Sequence, residues 1–365
     1  MIRLDENYDY PRVVDHLSHF SIDLYSGHQQ DYLYANGNMQ IGVFITIVAV
    51  DANQEQVKLY DSILDTIELI KFTDSQKLPE GWSYTSIEND YSHTFPFAND
   101  TFKMENFFDL SYRKVPHYKS DEKPPYYQRK LFWVTTNNID SIRISAKITL
   151  DGKTYKTFDQ LTLKDHREGS KFTTLVGYPP IIYHAQDLIH IIKKDFNFGE
   201  YVVKTDAREK HYKWVQNNYY ILPKIKFGNF TIKDITVSET YNDYYTTANN
   251  YRCFTHHTKA NDLYLWFIWG QERTVKDAGD NHSTKKSIDD FTYEATPKVT
   301  IVTTPRTDAV CLSRLYFQSP VHDFWDDWDN ASPLFRFTDI YGNKSYLIAI
   351  EMQDYENFTM KDWKP

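Results

Sequence analysis

A chain of 365 residues is too long for one small domain. At about 150 residues per domain it predicts two or three units, each able to bury its own core. Its 41 Lys and Arg against 50 Asp and Glu leave a formal charge of −9, spread along the chain, which argues against a general binder of phosphate backbones. Aromatic residues make up 16 % of the chain (29 Tyr, 23 Phe, 8 Trp), a composition that suits pleated, half-buried strands.

The chain opens Met1-Ile2-Arg3-Leu4-Asp5-Glu6, with acidic residues where a secretory signal would carry an apolar run. The expectation is a protein that is cytoplasmic as synthesised, with release by lysis or a non-classical route left open. The longest apolar run, Val43 to Val50, is broken by Thr46 and falls far short of the roughly 20 residues that span a bilayer. In the same stretch Ile41, Val43, Ile45, Ile47 and Ala49 alternate with Gln40, Gly42, Phe44 and Thr46, which predicts a strand over 40–50. Residues 56–72 fit either a helix or a strand with a loop. Ser111 to Gln128 is polar and carries three prolines, the composition of a linker.

Beyond it, Ile142, Ile144, Ala146, Ile148 and Leu150 alternate with Arg143, Ser145, Lys147 and Thr149. That strand runs into Asp151-Gly152 and a second strand over 153–158, the signature of a two-residue hairpin. Tyr183 to Lys194 is the best helix candidate, on the spacing of Leu188, Ile189 and Ile192. Gly228-Asn229 predicts a hairpin between 221–227 and 230–237, and Tyr341-Gly342-Asn343 another between 334–340 and 344–352. Leu263 to Trp269 is apolar on both faces, as in a strand covered on each side. Residues 299–302 and 310–317 read as two more strands.

These elements predict an all-β fold with minor helix: two or three tandem antiparallel β-sandwich modules, Ig-like or jelly-roll-like. The expected divisions are an N-terminal sandwich over 1–112, a linker over 113–127, a middle module over 128–240 and a C-terminal sandwich over 241–365. A single larger unit over 128–365 is the alternative.

The most unusual local composition is His322-Asp323-Phe324-Trp325-Asp326-Asp327-Trp328-Asp329-Asn330. Asp323, Asp326, Asp327 and Asp329 could supply oxygen ligands to Ca²⁺, and Trp325 and Trp328 could stack on a sugar. The spacing matches no EF-hand loop, and the plainer reading is a solvated acidic loop whose tryptophans plug the core. Cys253, His256 and His257 invite a zinc reading, but neighbours on a strand point to opposite faces and cannot converge on one ion. His184 and His190 are six residues apart, too far for the i, i+4 pairing of a helical zinc motif, and His16 and His19, three apart, would share a face only on a helix. The prediction is no cofactor, with calcium as the one candidate. The two cysteines, Cys253 and Cys311, read as free thiols.

No Gly-x-Ser-x-Gly elbow, phosphate loop or dinucleotide fingerprint occurs. Tyrosine doublets do stand out, in Asn242-Asp243-Tyr244-Tyr245, Pro124-Pro125-Tyr126-Tyr127 and Asn217-Asn218-Tyr219-Tyr220. Tyrosine offers a large contact area at low entropic cost and a hydrogen-bonding tip. The sequence therefore points to a non-enzymatic interaction or structural protein, inclusion-forming, toxin-like or adhesive. Its modules would present Tyr244, Tyr245, Trp325 and Trp328 to a protein or glycan partner, or to copies of itself, with no nucleic acid and no membrane span. The alternative is a carbohydrate-active hydrolase using a carboxylate pair on a β-sandwich.

Overall fold

The computed structural model describes residues 13–96, 127–159, 170–224, 231–237, 251–259, 262–269, 275–277, 284–295, 299–302, 306, 308–325 and 332–364. The chain forms two units, Met1–Pro180 and Ile181–Pro365. The fold is all-β. Among the described residues one α-helix occurs, α1 (Asp61–Leu64), and one 3-10 turn, Ala185–Asp187. No helix among them is long and apolar enough to cross a membrane.

In the first unit the strands are, in chain order, β1 (His16–Leu24), β2 (Gln30–Tyr34), β3 (Ile41–Val50), β4 (Gln56–Val57) and β5 (Glu68–Lys71). They continue with β6 (Trp82–Thr85), β7 (Gln128–Thr136), β8 (Ser141–Leu150), β9 (Lys153–Lys156) and β10 (Thr173–Tyr178). One sheet has the order β1-β3-β7-β6, with β4 on β3; the other has the order β2-β10-β8-β5, with β9 on β8. All pairs are antiparallel except β2 with β10. The isoleucines of β3 and β8 are buried while Arg143 and Thr149 face solvent, the register that the alternation requires. At the β8–β9 hairpin Asp151 and Gly152 both take positive φ, 47° and 80°, the two left-handed positions of a type I′ turn.

This unit corrects the expected divisions. β7 pairs with β3 from Ile41 opposite Val134 to Ile47 opposite Gln128, so the strand after the polar 113–127 stretch completes the sheet begun before it. The boundary falls at 180/181. Residues 56–72 form β4, α1 and β5 in succession rather than one element.

The second unit begins with β11 (Leu188–Thr205), β12 (Glu209–Pro223), β13 (Ile232–Val237), β14 (Tyr251–Lys259), β15 (Asp262–Trp269), β16 (Val275–Asp277) and β17 (Thr284–Ile288). It ends with β18 (Phe291–Ala295), β19 (Thr300–Val302), β20 (Val310–Phe317), β21 (Leu334–Asp339), β22 (Ile348–Met352) and β23 (Phe358–Asp362). A seven-stranded sheet, β14-β15-β20-β12-β11-β18-β17, packs on a four-stranded one, β13-β21-β22-β23. Tyr219, Ile221, Trp266, Ile268, Val310 and Leu312 of the larger sheet meet Ile232, Phe335, Phe337, Ile348, Ile350 and Phe358 of the smaller. The opposite face, with Leu265, Phe267, Trp269, Leu315 and Phe317, is covered by Val299, Ile301, Phe324 and Trp325. Cover on both sides is why β15 is apolar on both faces.

Two expected elements differ here. Tyr183 to Lys194 is a 3-10 turn followed by the start of β11, because β-branched Ile189, Ile191 and Ile192 lie along β12 instead of closing a helix. Gly228-Asn229 lie outside the described residues, and β12 and β13 on either side do not form a hairpin: β12 lies between β11 and β20, and β13 pairs with β21 in the other sheet. The strands expected over 299–302 and 310–317 are β19 and β20; β19 pairs with β16, and β20 with β12 and β15. The turn at 341–343 does join β21 to β22, with Asp339 accepting from the backbone N–H of Tyr341 and Asn343, each at 2.9 Å.

A buried polar network fastens β19 to the large sheet. Gln216 Nε2 donates to Val302 O (2.8 Å) and to Asn218 Oδ1 (2.7 Å), and Val302 N returns a bond to Gln216 Oε1 (3.1 Å). Ser313 Oγ donates to Asn218 Oδ1 (2.6 Å) and accepts from Trp269 Nε1 (3.1 Å). Buried amides are tolerable only when partnered this fully.

Candidate functional site

Three strands of the large sheet carry the site. Counting across the face that meets the four-stranded sheet, β15, β20 and β12 contribute Ile268, Leu312 and Tyr219 in one row. Trp266, Arg314 and Asn217 form the next row, and Tyr264, Tyr316 and Val215 the row after it. Phe358 of β23 reaches Tyr219 and Trp266, with ring centroids 5.8 Å from each. Among the described residues the apolar cover ends there, and the third row is half-buried. The sheet continues past its partner and leaves an aromatic shelf.

Tyr264 and Tyr316 lie side by side with ring centroids 5.3 Å apart, and Tyr355 stands 5.5 Å from Tyr264. Tyr355 belongs to the β22–β23 turn, which is held by its own polar groups: Asp354 Oδ1 accepts the backbone N–H of Glu356 and of Asn357, each at 2.7 Å. The ring is thus presented on a stiff support. Tyr316 Oη donates to Asp262 Oδ2 (3.0 Å), and the other oxygen of Asp262 takes the N–H of Ser319 (2.7 Å). Burial, then the Asp262 carboxylate, pushes the Tyr316 hydroxyl well above the ordinary tyrosine range, and Tyr264 shifts the same way for the same two reasons. Both hydroxyls stay protonated donors.

Arg314 lies beneath the rings. It is 6 % exposed, its guanidinium carbon sits 5.6 Å from the Tyr264 centroid, and Nη1 is 3.3 Å from Glu356 Oε1. Lys213 Nζ stands 6.0 Å from the Tyr316 centroid. The shelf therefore offers flat aromatic area with protonated hydroxyl tips, ringed by Lys213, Asp262 and Glu356. It suits stacking and hydrogen bonding, the chemistry of recognition.

Trp325 is not on a recognition surface. It is 4 % exposed and packs on Phe324, Tyr201 and Phe317 at centroid distances of 4.8, 6.1 and 6.2 Å. This corrects the expectation of an exposed binding tryptophan. The apolar Phe324-Trp325 pair is drawn under the large sheet. Asp323 stays outside at positive φ (55°), paired with His322 at 2.6 Å. Asp326, Asp327, Trp328 and Asp329 lie outside the described residues, as do Tyr244 and Tyr245. Tyr219 and Tyr220, expected in a polar loop, sit buried in central strand β12 on opposite faces of the sheet. Among the described residues no three His, Cys, Asp or Glu side chains gather as a metal-ligand group.

Two buried carboxylates occur among the described residues, Asp187 and Asp339, and both hold the backbone. Asp187 accepts His184 N (3.0 Å), and Asp339 accepts Tyr183 Oη (2.8 Å) besides its turn N–H groups. The signal that marks the shelf in sequence is Arg314, a charge within the apolar run 310–317, followed two residues later by Tyr316 on the same face.

No family model and no curated protein matches the chain. Among solved structures it is similar to the C-terminal domain of the Streptococcus pyogenes antigen I/II-family protein AspA, at 6 % identity and a TM-score of 0.22, with 95 % of this chain and 100 % of that one covered. That score is too low to establish a shared topology.

Proposed function

We propose that the chain is a non-enzymatic interaction protein. In this reading the unit 181–365 holds a protein or glycan partner on the shelf formed by Tyr264, Tyr316 and Tyr355. The observation that carries it is a half-buried row of tyrosines, Tyr264 beside Tyr316 with Tyr355 against Tyr264, next to the buried Arg314. Rigid aromatic area with polar tips is what interfaces concentrate at their anchors. The hydrolase alternative needs a buried carboxylate pair beside the shelf, and the two buried carboxylates described are occupied, Asp187 by the His184 N–H and Asp339 by turn N–H groups and the Tyr183 hydroxyl.

The test compares the full chain with Tyr355→Ala on a glycan array and against a displayed peptide library. Tyr355 sits on a turn outside the core, so its removal leaves the sandwich intact. Loss of a central aromatic anchor costs about 2 kcal/mol, roughly 30-fold in affinity. A ligand from either panel that weakens by that factor in Tyr355→Ala supports the proposal, and the panel that yields it decides between glycan and protein. Ligands that bind both forms equally overturn it, and cleavage of an arrayed glycan favours the hydrolase. Chelation by EDTA is expected to leave this binding unchanged. Loss on chelation would assign calcium at Asp323, Asp326, Asp327 and Asp329 instead.

A further inference from the structure

Among the described residues β11 is paired on one side only for most of its length. It follows β12 from Leu188 opposite Pro223 to Lys204 opposite Glu209, but meets β18 only from Val203 to Thr205. Among the described residues the edge from Leu188 to Val202 faces no strand.

The direction of its peptide groups follows from one proline. Leu188 lies opposite Pro223, which has no N–H, and Lys224 N donates to Asp187 O at 2.8 Å. Leu188 is therefore a position that exchanges no bonds with β12, and in an antiparallel ladder such positions alternate. Ile189 and Ile191 bond to β12, while His190 and Ile192 aim N–H and C=O at the open side; Leu188 aims its C=O there, its N–H being donated to Ala185 O.

The open stretch is also apolar: Ile189 is 36 % exposed, Ile191 44 % and Ile192 37 %. Edge strands are ordinarily blunted by lysines and bulges, and this one has both, but only afterwards, at Lys193-Lys194 and at the irregularity between Lys193 and Asn197. Leu188 to Ile192 is left unprotected.

We propose that this edge pairs antiparallel with the same edge of a second copy of the chain, about a two-fold axis at His190. Outward groups bond only to outward groups, which restricts the registers to centres on single residues. Centring on His190 sets Ile189 against Ile191 and Leu188 against Ile192, and leaves Lys193 and Lys194 outside the apolar match. Centring on Ile191 would set Ile189 against Lys193 and Leu188 against Lys194. Centring on Ile189 would set Ile191 against Asp187. Only the His190 register matches apolar with apolar at both neighbouring pairs. The contact is small beside the roughly 1,200 Å² of a stable interface, so the dimer dissociates in the micromolar range or above. The inference rests on the reading of the chain as an interaction protein but uses a different surface from the shelf.

Sedimentation of the full chain from about 1 to 200 µM is expected to show a reversible monomer–dimer equilibrium, weakened at least tenfold by Ile189→Lys/Ile191→Lys, whose side chains lie outside the core. Register is read by cysteine cross-linking in a Cys253→Ser background. His190→Cys is expected to give a covalent dimer on oxidation. Ile192→Cys is not, since its two copies stand four residues apart in register, about 13 Å or more. A chain monomeric throughout, a dimer indifferent to the double lysine, or equal cross-linking at both positions overturns the proposal. A dimer lost instead in Tyr355→Ala also overturns it and moves the association to the shelf, whereas shelf ligands that fail beside an intact His190 dimer count against the shelf alone.

Discussion

Replacing Trp325 with alanine separates a core plug from a recognition residue. The indole lies under the large sheet, 4 % exposed, among Tyr201, Phe317 and Phe324. A side chain of that size buries roughly 200 Å² of mostly apolar surface, worth about 5 kcal/mol at 25 cal/mol/Å² as an upper bound. Measured Trp→Ala losses in cores run at about 3–5 kcal/mol, since the neighbours relax only in part. For a unit of this size each kcal/mol moves the melting temperature by about 2–4 °C, so the expected fall is about 6–20 °C. Differential scanning calorimetry of the full chain measures it, and Trp325→Phe is expected to recover part of the loss. The reasoning fails if Trp325→Ala shifts melting by less than about 2 °C.

Burial pushes the Cys311 thiol up to about 12 from an ordinary 9.0, so the native protein at pH 8 should resist a thiol reagent there and expose the site only in denaturant. Between those two values the unfolded chain ionises Cys311 while the folded one keeps its proton, so stability should fall as pH rises from 9 to 12; urea midpoints for Cys311→Ala should show a shallower fall. At the β8–β9 turn, an alanine Cβ at Gly152 meets no atom within 4 Å, so Gly152→Ala should cost only the left-handed backbone, about 1–2 kcal/mol. At Gly177 the same Cβ would stand 2.0 Å from the Asn138 carbonyl oxygen, which cannot swing aside, so thermal melts should show Gly177→Ala as clearly the more damaging of the two.

The period-two alternations at 41–50 and 141–150, and the Asp151-Gly152 turn, were legible because each depends on neighbours two or three residues away. Strand partners were not. β7 joins β3 across more than 75 residues of chain, and β12 passes over the adjacent β13 to pair with β20; the deciding quantity is which pairing buries both faces, and no local window contains it. The isoleucines of 188–192 fit either period at such short range, and only the presence of β12 alongside makes them strand. Composition announced aromatic surfaces without saying which aromatics stay outside. Trp325 and Tyr219 went inward because large apolar rings fill the space between layers. Tyr264 and Tyr316 stayed half-buried one row beyond the Tyr219 and Trp266 that Phe358 covers, and which row a facing sheet covers is a property of the packed tertiary structure alone.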